Sequence, residues 1–368
     1  MNTNFELNTS FDLMNGVKDN VTIKDEAKFK KMVEICSALF YGVDEGKYAE
    51  SKDAVVKKLK DLGQAAENGD WKARSEINTI VKFMIEPKLL ESMRIFEFLG
   101  NYHPLKYNEQ PRVKTYNYEQ LGSRIQAANS DVSFAGKNWI EYPVSTKTIS
   151  AGMVIDYREL GSGNFGGSVA QEADQVQVEM NNKSIAYVLT ILKNALANNT
   201  KYVKNYSTYV TAPTKAGVDA MIAKIRKMGK VSIFGDYAVL SAICDWNGYK
   251  TVSGTNIPFF TPNQVEEIAK AGLNGFYNGC ALVELANPYN YTKPLADKSA
   301  FETYFSDEDL YFTAAGVKSP LNIFRRGGIT TMSGNDVETG TIKTRFDVEV
   351  GADVVKGREF EIGLITKQ

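Results

Sequence analysis

The sequence predicts an α+β fold, and three observations support this prediction. Apolar residues at helical spacing dominate the first 100 residues. A long β pattern occupies Pro111–Leu160, and a single helical pattern follows over Val169–Asn198. Short helices and strands then alternate, and the chain ends in β-rich sequence over 322–365. Its 368 residues are enough for two or three domains with a sizeable core.

The N-terminal region begins with a polar segment and continues as helices. Residues 1–24 lack helical periodicity, which predicts an extended arm. Three apolar stripes at i, i+3, i+4 and i+7 predict the helices: Phe29, Met32, Val33, Cys36, Leu39 and Phe40; Val55, Leu59, Leu62 and Ala66; and Ile77, Ile80, Val81 and Met84. We expect the second helix to end near Asn68 and Gly69. Pro87 should interrupt the third, with helical spacing resuming over Leu89–Leu99. The lysine-rich run 57–60 predicts a solvated face.

The β pattern over Pro111–Leu160 predicts an extended hairpin. Pro143 lies inside it, and proline is tolerated on an edge strand. Two strands of about 15–20 residues at roughly 3.3 Å per residue would project about 50–65 Å. Because an isolated hairpin is marginally stable in water, we expect a neighbouring subunit to cover it. This favours an assembly protein over a free enzyme.

A glycine-rich hinge, Gly161–Gly167, connects this hairpin to the long helix. The first turns of the helix are polar, and its second half carries one apolar stripe, formed by Ile185, Val188, Leu189, Leu192 and Leu196. About 30 residues at a rise of 1.5 Å span about 45 Å. A helix of that length is unusual in a globular protein.

The remaining elements are short. A helix is predicted over Thr214–Met228, with an apolar face of Ala216, Ala220, Ile222, Ala223 and Ile225 and a cap at Gly229. Further helices are predicted over 237–245 and 262–271. The predicted strands are 231–234, 281–285, 310–314, 321–324, 341–350 and 360–365.

Composition and charge exclude several classes of protein. The formal net charge is −1, whereas a dedicated nucleic-acid binder usually carries a clear basic excess. Three cysteines, Cys36, Cys244 and Cys280, do not make a disulfide framework, which favours a reducing cytoplasm. The sequence carries no signal-peptide pattern and no apolar run long enough to span a membrane.

Two glycine-containing segments resemble nucleotide-binding loops only superficially. Gly161–Gly166 matches G-x-G-x-x-G, follows a predicted strand and opens a helix. That helix is too long for the fingerprint, and Glu172 and Asp174 in its first turns would repel a pyrophosphate. The segment Gly42–Tyr48 lacks both the spacing and the hydroxyl of a P-loop. We therefore interpret the first as a hinge and the second as a turn.

The other residues that could carry chemistry also have structural interpretations. His103 is the only histidine, which excludes H-E-x-x-H zinc sites, and no nucleophile elbow accompanies it. Cys244 and Cys280 lie in apolar sequence and predict buried thiols. The acidic run 307–309 predicts a solvated turn. The pair Arg325 and Arg326 fits either an exposed turn or a contact with an acid or a phosphate. We predict no catalytic residue, no cofactor and no metal site.

The order of these elements resembles the major capsid protein family of tailed bacteriophages, whose shell fold is shared with encapsulins. Pro111–Leu160 resembles the extended β-hairpin of that family, the E-loop, and Val169–Asn198 resembles its spine helix. Thr214–Asp245 and Gly279–Leu285 resemble the axial A-domain, and Asn322–Val350 resembles the long strands of the peripheral P-domain. The resemblance covers roughly residues 105–368, and the helical first 100 residues depart from the simple arm of the family.

The resemblance implies a domain organisation and a function. The expected segments are an N-terminal arm and helical region (1–100), the E-loop and hinge (101–168), the spine helix (169–210), the A-domain (211–315), the P-domain strands (316–352) and a C-terminal strand returning to the A-domain (353–368). The implied function is that of a major capsid protein whose pentamers and hexamers form an icosahedral shell around double-stranded DNA. The implied location is the virion capsid, assembled in the host cytoplasm.

The resemblance also implies partners, and two alternatives remain open. Besides itself, such a subunit would contact packaged DNA non-specifically and could contact scaffolding, portal or decoration proteins, and no membrane is expected. An encapsulin shell would have the same fold, although encapsulins are usually shorter. An α/β enzyme that uses Gly161–Gly167 to bind a nucleotide is the alternative from a different class.

Overall fold

The computed structural model describes the greater part of the chain. The described residues are 14–17, 20–23, 31, 34–35, 49–92, 95–116, 125, 139–156, 158, 162, 169–198, 204–244, 246, 249–252, 255–258, 275–315, 319–336 and 341–368. They divide into two compact units. Unit 1 comprises 1–94, 148–181 and 327–349, and unit 2 comprises 95–147, 182–326 and 350–368.

Both helices and strands are present, as the sequence predicts. The helices are α1 (Ala49–Glu67), α2 (Trp71–Ser92), α3 (Ile95–Leu99), α4 (Val169–Ala197), α5 (Lys215–Ile225) and α6 (Tyr237–Cys244). The strands are β1 (Met14–Val17), β2 (Asn20–Ile23), β3 (Asn101–Leu105), β4 (Arg112–Tyr116), β5 (Trp139–Pro143), β6 (Lys147–Ile155), β7 (Tyr206–Tyr209), β8 (Lys230–Gly235), β9 (Tyr249–Val252), β10 (Thr255–Pro258), β11 (Phe276–Tyr277), β12 (Cys280–Glu284), β13 (Tyr289–Pro294), β14 (Phe301–Thr303), β15 (Leu310–Ala315), β16 (Leu321–Asp336), β17 (Thr341–Val354) and β18 (Ile362–Lys367).

The helical hairpin of unit 1 follows the predicted apolar stripes. The stripe of α1 is buried along its length, and so are Ile77, Ile80 and Val81 of α2. Gly69 adopts a φ of +93° in the turn between the helices, a conformation that glycine adopts without strain. The predicted interruption at Pro87 is wrong, because α2 continues through this residue to Ser92. The stripe over 29–40 lies largely outside the described residues.

The prediction of a solvated lysine face is also wrong at one position. Lys58 is almost completely buried, and its Nζ lies 3.5 Å from Oε1 of the equally buried Glu76 on α2. Burial raises the pKa of the Glu76 carboxyl, and the charge of Lys58 opposes that rise. Lys57 and Lys60 are exposed, as expected.

A four-stranded sheet has the order β3-β16-β17-β6. Strands β16 and β17 are its longest members, with 16 and 14 residues. Edge strand β3 pairs in parallel with β16 and contains Pro104, which is tolerated there. Strand β6 lies next to β17 and does not continue the predicted hairpin. Antiparallel pairing of β4 with β5 over five residues each forms the hairpin within the described residues.

The long helix α4 agrees closely with its prediction. It covers 29 residues, and all five residues of the predicted stripe are buried. The stripe extends toward the N-terminus through Val176 and Met180, which are also buried. Its polar first turns lie among residues whose side chains are not described.

The core of unit 2 is a six-stranded sheet of order β11-β12-β8-β15-β18-β7. Helices α5 and α6 cover it, with Ile225 and Leu240 in one cluster with Ile233 and Phe312. Thr214 caps α5, where its Oγ1 accepts a hydrogen bond from the backbone N–H of Gly217 at 3.2 Å. A Cβ at Gly363 would lie 2.7 Å from both Met221 Sδ and Ile225 Cδ1, so a larger residue at this close helix–sheet contact would require these side chains to shift.

The predicted apolar face of α5 is partly wrong. Ala216, Ala220 and Ala223 are exposed, whereas Val218 and Met221 are buried together with Ile222 and Ile225. The helix ends at Ile225, before the predicted Gly229 cap. The predicted helix over 262–271 lies outside the described residues.

Candidate assembly surface

The hairpin β4–β5 has one face that is buried at its base and exposed further out. Val113 pairs with Tyr142, and the next pair on the same face is Thr115 with Ile140. Val113 packs in a cluster with Val144, Phe324 and Val355, and Tyr142 packs partly buried against that cluster. Two residues along the strand, Ile140 is 63% exposed. The subunit therefore covers the apolar face only at the base.

The opposite face of the hairpin carries a charged pair. Lys114 and Glu141 are cross-strand partners, and their charged atoms lie 3.9 Å apart. Lys114 is well exposed, so water screens this ion pair and it contributes little to stability.

Polar contacts anchor the base of the hairpin to the segment that follows β17. The Tyr142 hydroxyl donates a hydrogen bond to Asp353 Oδ2 at 2.6 Å and accepts one from the backbone N–H of Lys356 at 3.2 Å. Thr115 Oγ1 donates to the carbonyl of Lys356 at 2.6 Å. The Lys356 ammonium also lies 4.7 Å from the centroid of the Tyr142 ring. The orientation of the hairpin base is therefore fixed within unit 2.

This anchor changes the acid–base properties of its members. Burial raises the pKa of the Asp353 carboxyl, and the hydrogen bond from Tyr142 opposes the rise. Burial and the adjacent Asp353 together raise the pKa of the Tyr142 phenol. The phenol therefore remains a hydrogen-bond donor to Asp353 at neutral pH.

The acidic run 307–309 forms the predicted turn at Asp307 and Glu308, and Asp307 is exposed, but Asp309 is not solvated. Asp309 is 2% exposed, and its carboxylate accepts hydrogen bonds from Lys193 Nζ at 2.9 Å and from Tyr311 Oη at 3.2 Å. Thr366 Oγ1 is a third donor, at 2.5 Å. This prediction is wrong for Asp309, which fastens the C-terminal half of α4 to strands β15 and β18.

The two arginines lie in strand β16 and not in a turn. The Arg326 guanidinium donates to the carbonyl of Tyr107, with Nε at 3.0 Å. Nε and Nη1 of Arg325 are buried and have no hydrogen-bond acceptor among the described residues.

The histidine and the cysteines occupy structural positions. His103 lies in edge strand β3, and its ring stacks on Phe324 at a centroid distance of 5.4 Å. Cys244 and Cys280 are buried free thiols, as predicted. Burial also raises the pKa of the Cys280 thiol, so it is a poor nucleophile.

Several sequence candidates lie outside the described residues. These are the Gly42–Tyr48 turn, the Gly161–Gly167 hinge apart from Ser162, and Cys36. Among the residues that are described, no group of three or more His, Cys, Asp or Glu side chains could hold a metal ion. None of the described helices is both long enough and apolar enough to cross a membrane.

Sequence reasoning did not identify the hairpin β13–β14 as a surface feature. Tyr289 and Tyr291 are 53% and 75% exposed, and Phe301 on the facing strand is also exposed. The Tyr291 and Phe301 rings meet edge to face at 5.3 Å. The alternation in Tyr289-Asn-Tyr-Thr292 is the signal that could have indicated a strand with one aromatic face.

Comparison with known proteins gives one family and several distant structures. The family described as the SPbeta prophage-derived putative capsid protein YonB matches residues 12–366. None of the curated proteins matches the chain in sequence.

Three of the similar solved structures are shells. The capsid of a native GTA particle is 13% identical, with 75% of this chain and 89% of that chain covered and a TM-score of 0.49. The mature capsid of bacteriophage PhiM1 is 14% identical, with 74% and 86% covered and a TM-score of 0.46. The SrpI encapsulin of Synechococcus elongatus PCC 7942 is 12% identical, with 74% and 86% covered and a TM-score of 0.43. These structural similarities are distant, so the assignment of the chain to a family rests on the family match alone.

Proposed function

The chain belongs to the YonB family, which confirms the resemblance to phage capsid proteins, and we propose that it is a major capsid protein whose copies assemble into an icosahedral shell around double-stranded DNA. In this proposal the repeating units are pentamers and hexamers of the chain. The protein is structural, and its function consists of many weak contacts repeated by symmetry.

The main support for this proposal is that the hairpin β4–β5 exposes part of its apolar face. Its apolar face is buried at Val113, half-buried at Tyr142 and exposed at Ile140. The anchor from Tyr142 to Asp353 holds the base in place whether or not a partner is bound. A rigid hairpin loses little conformational entropy on binding, so even a small apolar contact with a neighbouring subunit is effective. We propose that the predicted E-loop works in this way.

The charge of the chain fits a shell subunit. A formal net charge of −1 means that many copies can pack closely without strong mutual repulsion. Packaged DNA would be contacted non-specifically through local basic groups. Scaffolding, portal and decoration proteins are further partners in this proposal, and the particle would assemble in the host cytoplasm and persist as the virion capsid.

Electron microscopy of the purified full-length protein tests the proposal. We expect closed shells of uniform size. Replacing residues 118–137 with a short Gly-Ser linker keeps β4 and β5 and removes the distal part of the predicted E-loop. This variant should give soluble, folded subunits that do not form shells. Normal shells from the variant would overturn the assigned role of the hairpin.

The same preparations separate the alternatives. Particles from phage-producing cells should protect double-stranded DNA from nuclease. Shells that contain protein cargo and no DNA would instead indicate an encapsulin-type compartment. A monomeric protein whose melting temperature rises with added nucleotide would indicate an enzyme and would overturn the proposal.

A further inference from the structure

The hairpin β13–β14 forms a two-stranded sheet that is separate from the six-stranded sheet of unit 2. Its strands pair antiparallel, with Tyr289 opposite Thr303 and Pro294 opposite Phe301, and the register shifts between these pairs. Two-stranded hairpins are marginally stable in water unless other contacts hold them. Those contacts therefore decide whether the aromatic side chains are needed for folding.

Polar contacts hold this hairpin. Asn287 and Phe305 bridge its base, where Asn287 Nδ2 donates to the Phe305 carbonyl at 2.9 Å and the Phe305 N–H donates to Asn287 Oδ1 at 3.3 Å. Asn290 is buried, and its Oδ1 accepts from the N–H and the hydroxyl of Thr292 at 3.1 Å and 2.6 Å. The shape of the hairpin thus depends on its polar residues.

The aromatic residues contribute little to this local structure. Tyr289 and Tyr291 are both exposed and flank the buried Asn290 on one strand. Tyr291 contacts Phe301 and otherwise faces solvent over three quarters of its surface, and Leu295 in the adjoining turn is also exposed. Tyrosine is among the residues most enriched at protein interfaces, because its ring is apolar and its hydroxyl can hydrogen-bond.

The charge of the hairpin excludes a nucleic-acid partner. Residues 287–305 contain two lysines, Lys293 and Lys298, and two acids, Asp297 and Glu302, so their charges cancel. Lys293 Nζ and Glu302 Oε2 lie 3.7 Å apart across the two strands. Binding to DNA or RNA requires a surplus of positive charge, which this surface lacks. A partner of low net charge fits better, and another copy of this chain has a net charge of −1.

The size of the aromatic surface also favours another copy of the chain. Aromatic side chains bury about 150–250 Å² each when fully covered, which with these exposed fractions gives on the order of 300–400 Å² for the patch. A stable pair of proteins needs about 800 Å² per partner. A contact of half that size suits an assembly in which symmetry repeats it and other contacts add to it.

We propose that the aromatic face of β13–β14, formed by Tyr289, Tyr291 and Phe301, binds a second copy of this chain between neighbouring subunits of the shell. This inference rests on the proposed function, because the contact is too small to hold an isolated dimer.

Site-specific photo-crosslinking tests the proposal directly. Benzoylphenylalanine replaces Tyr291 in the full-length chain, and particles are purified and irradiated. We expect a covalent dimer of the chain in particles and only traces of it in dilute unassembled subunits. A crosslink to another protein, or no crosslink between copies in intact particles, would overturn the proposal.

Substitution gives an independent test. The double variant Tyr291→Ser/Phe301→Ser removes the patch and leaves the Asn287 and Asn290 contacts unchanged. Because central interface aromatics often account for a tenfold or greater change in affinity, shell yield should fall at least about tenfold. The control Tyr237→Ser removes another exposed tyrosine, 46% exposed at the start of α6, and should assemble as the wild type does. Circular dichroism should show all three subunits folded.

The outcomes distinguish the inference from the proposed function. If the wild type and the double variant both form shells in equal yield, the chain is a shell subunit and the hairpin contact does not exist. If the wild type forms no shells under any condition, the proposed function fails and this inference fails with it. Loss of shells in the Tyr237→Ser control to the same extent would also count against the hairpin as the specific contact.

Discussion

Replacing Asp309 by alanine should strongly destabilise the six-stranded sheet of unit 2. The Asp309 carboxylate is the common acceptor for Lys193, Tyr311 and Thr366. Without it, the buried Tyr311 hydroxyl loses its acceptor, at a cost of about 1–3 kcal/mol, and the Thr366 hydroxyl keeps only the longer bond to the Lys367 carbonyl at 3.3 Å, at a cost of about 1 kcal/mol. Lys193 is 37% exposed, so its ammonium can recover hydration, and loss of the ion pair adds no more than about 1 kcal/mol. We therefore expect a loss of about 3–5 kcal/mol.

Two further variants separate the contributions to this loss. Asp309→Asn keeps one carbonyl acceptor and should cost about 1–2 kcal/mol. Lys193→Met leaves the buried carboxylate with both hydroxyl donors but without a counter-charge, and should cost about 1–3 kcal/mol, less than Asp309→Ala. The double variant Asp309→Ala/Lys193→Met should then be close to Asp309→Ala alone, because the hydroxyls dominate the loss.

Native-state hydrogen exchange of the full-length subunit is the appropriate assay, because it resolves the stability of β15 and β18 separately from that of the other unit. The reasoning would be refuted if Asp309→Ala changed the protection of these strands by less than about 0.5 kcal/mol, a change typical of an ordinary surface substitution. A Lys193→Met variant as unstable as Asp309→Ala would show instead that the ion pair dominates.

Three other predictions concern unit 1 and the β4–β5 hairpin. Glu76→Ala removes the carboxylate that lies next to the buried Lys58 ammonium and should destabilise α1–α2 by about 3–5 kcal/mol, whereas Lys58→Met/Glu76→Leu should be nearly neutral; equal losses in hydrogen exchange would contradict this. The raised pKa of Asp353 means that the folded state keeps its proton at pH values where the unfolded chain has lost it. The contribution of Asp353 to stability should therefore fall as pH rises from the unfolded pKa of about 3.9 through the folded pKa. Asp353→Asn, which can still accept a hydrogen bond from Tyr142, should make the free energy of unfolding in urea titrations depend less on pH. An unchanged pH dependence would show that Asp353 is not its source. Ile140→Glu should abolish shells without lowering subunit stability, because this side chain is exposed. The core variant Val113→Ala should instead lower the free energy of unfolding by about 1–3 kcal/mol. A destabilised Ile140→Glu subunit would contradict the exposed position of Ile140.

Helices with large apolar residues were the most predictable part of the fold. The stripe of α4 contains Ile185, Leu189 and Leu192, each of which gains enough from burial to fix which face of the helix is inward. The predicted face of α5 combines Ile222 and Ile225, which are buried, with three alanines, which gain little from burial. Val218 and Met221 outweigh them, and the helix is rotated accordingly. Apolar periodicity therefore predicts the buried face of a helix more reliably when the repeating residues have large apolar side chains.

Strand pairing and buried charge were less predictable because both depend on distant residues. The β pattern over Pro111–Leu160 correctly indicated strands, but nothing local reveals that β6 pairs in the sheet with β17 and leaves the hairpin to β4 and β5. Lys58 and Asp309 belong to charged runs that are normally solvated. Their burial depends on Glu76 and Thr366, which lie 18 and 57 residues further along the chain. A hydropathy pattern contains no information about such partners.

The two hairpins of unit 2 share a physical design that explains how one chain can be both a folded subunit and an assembly component. In each, polar contacts within the subunit fix the backbone, through Tyr142 and Asp353 in one and through Asn287 and Phe305 in the other. The exposed apolar residues, such as Ile140 and Tyr291, are not needed for that local order. Each apolar surface is too small to hold two copies together alone. Substitutions at these apolar positions should therefore change the subunit concentration at which shells form and leave subunit folding unaffected, whereas substitutions in the polar anchors should change both.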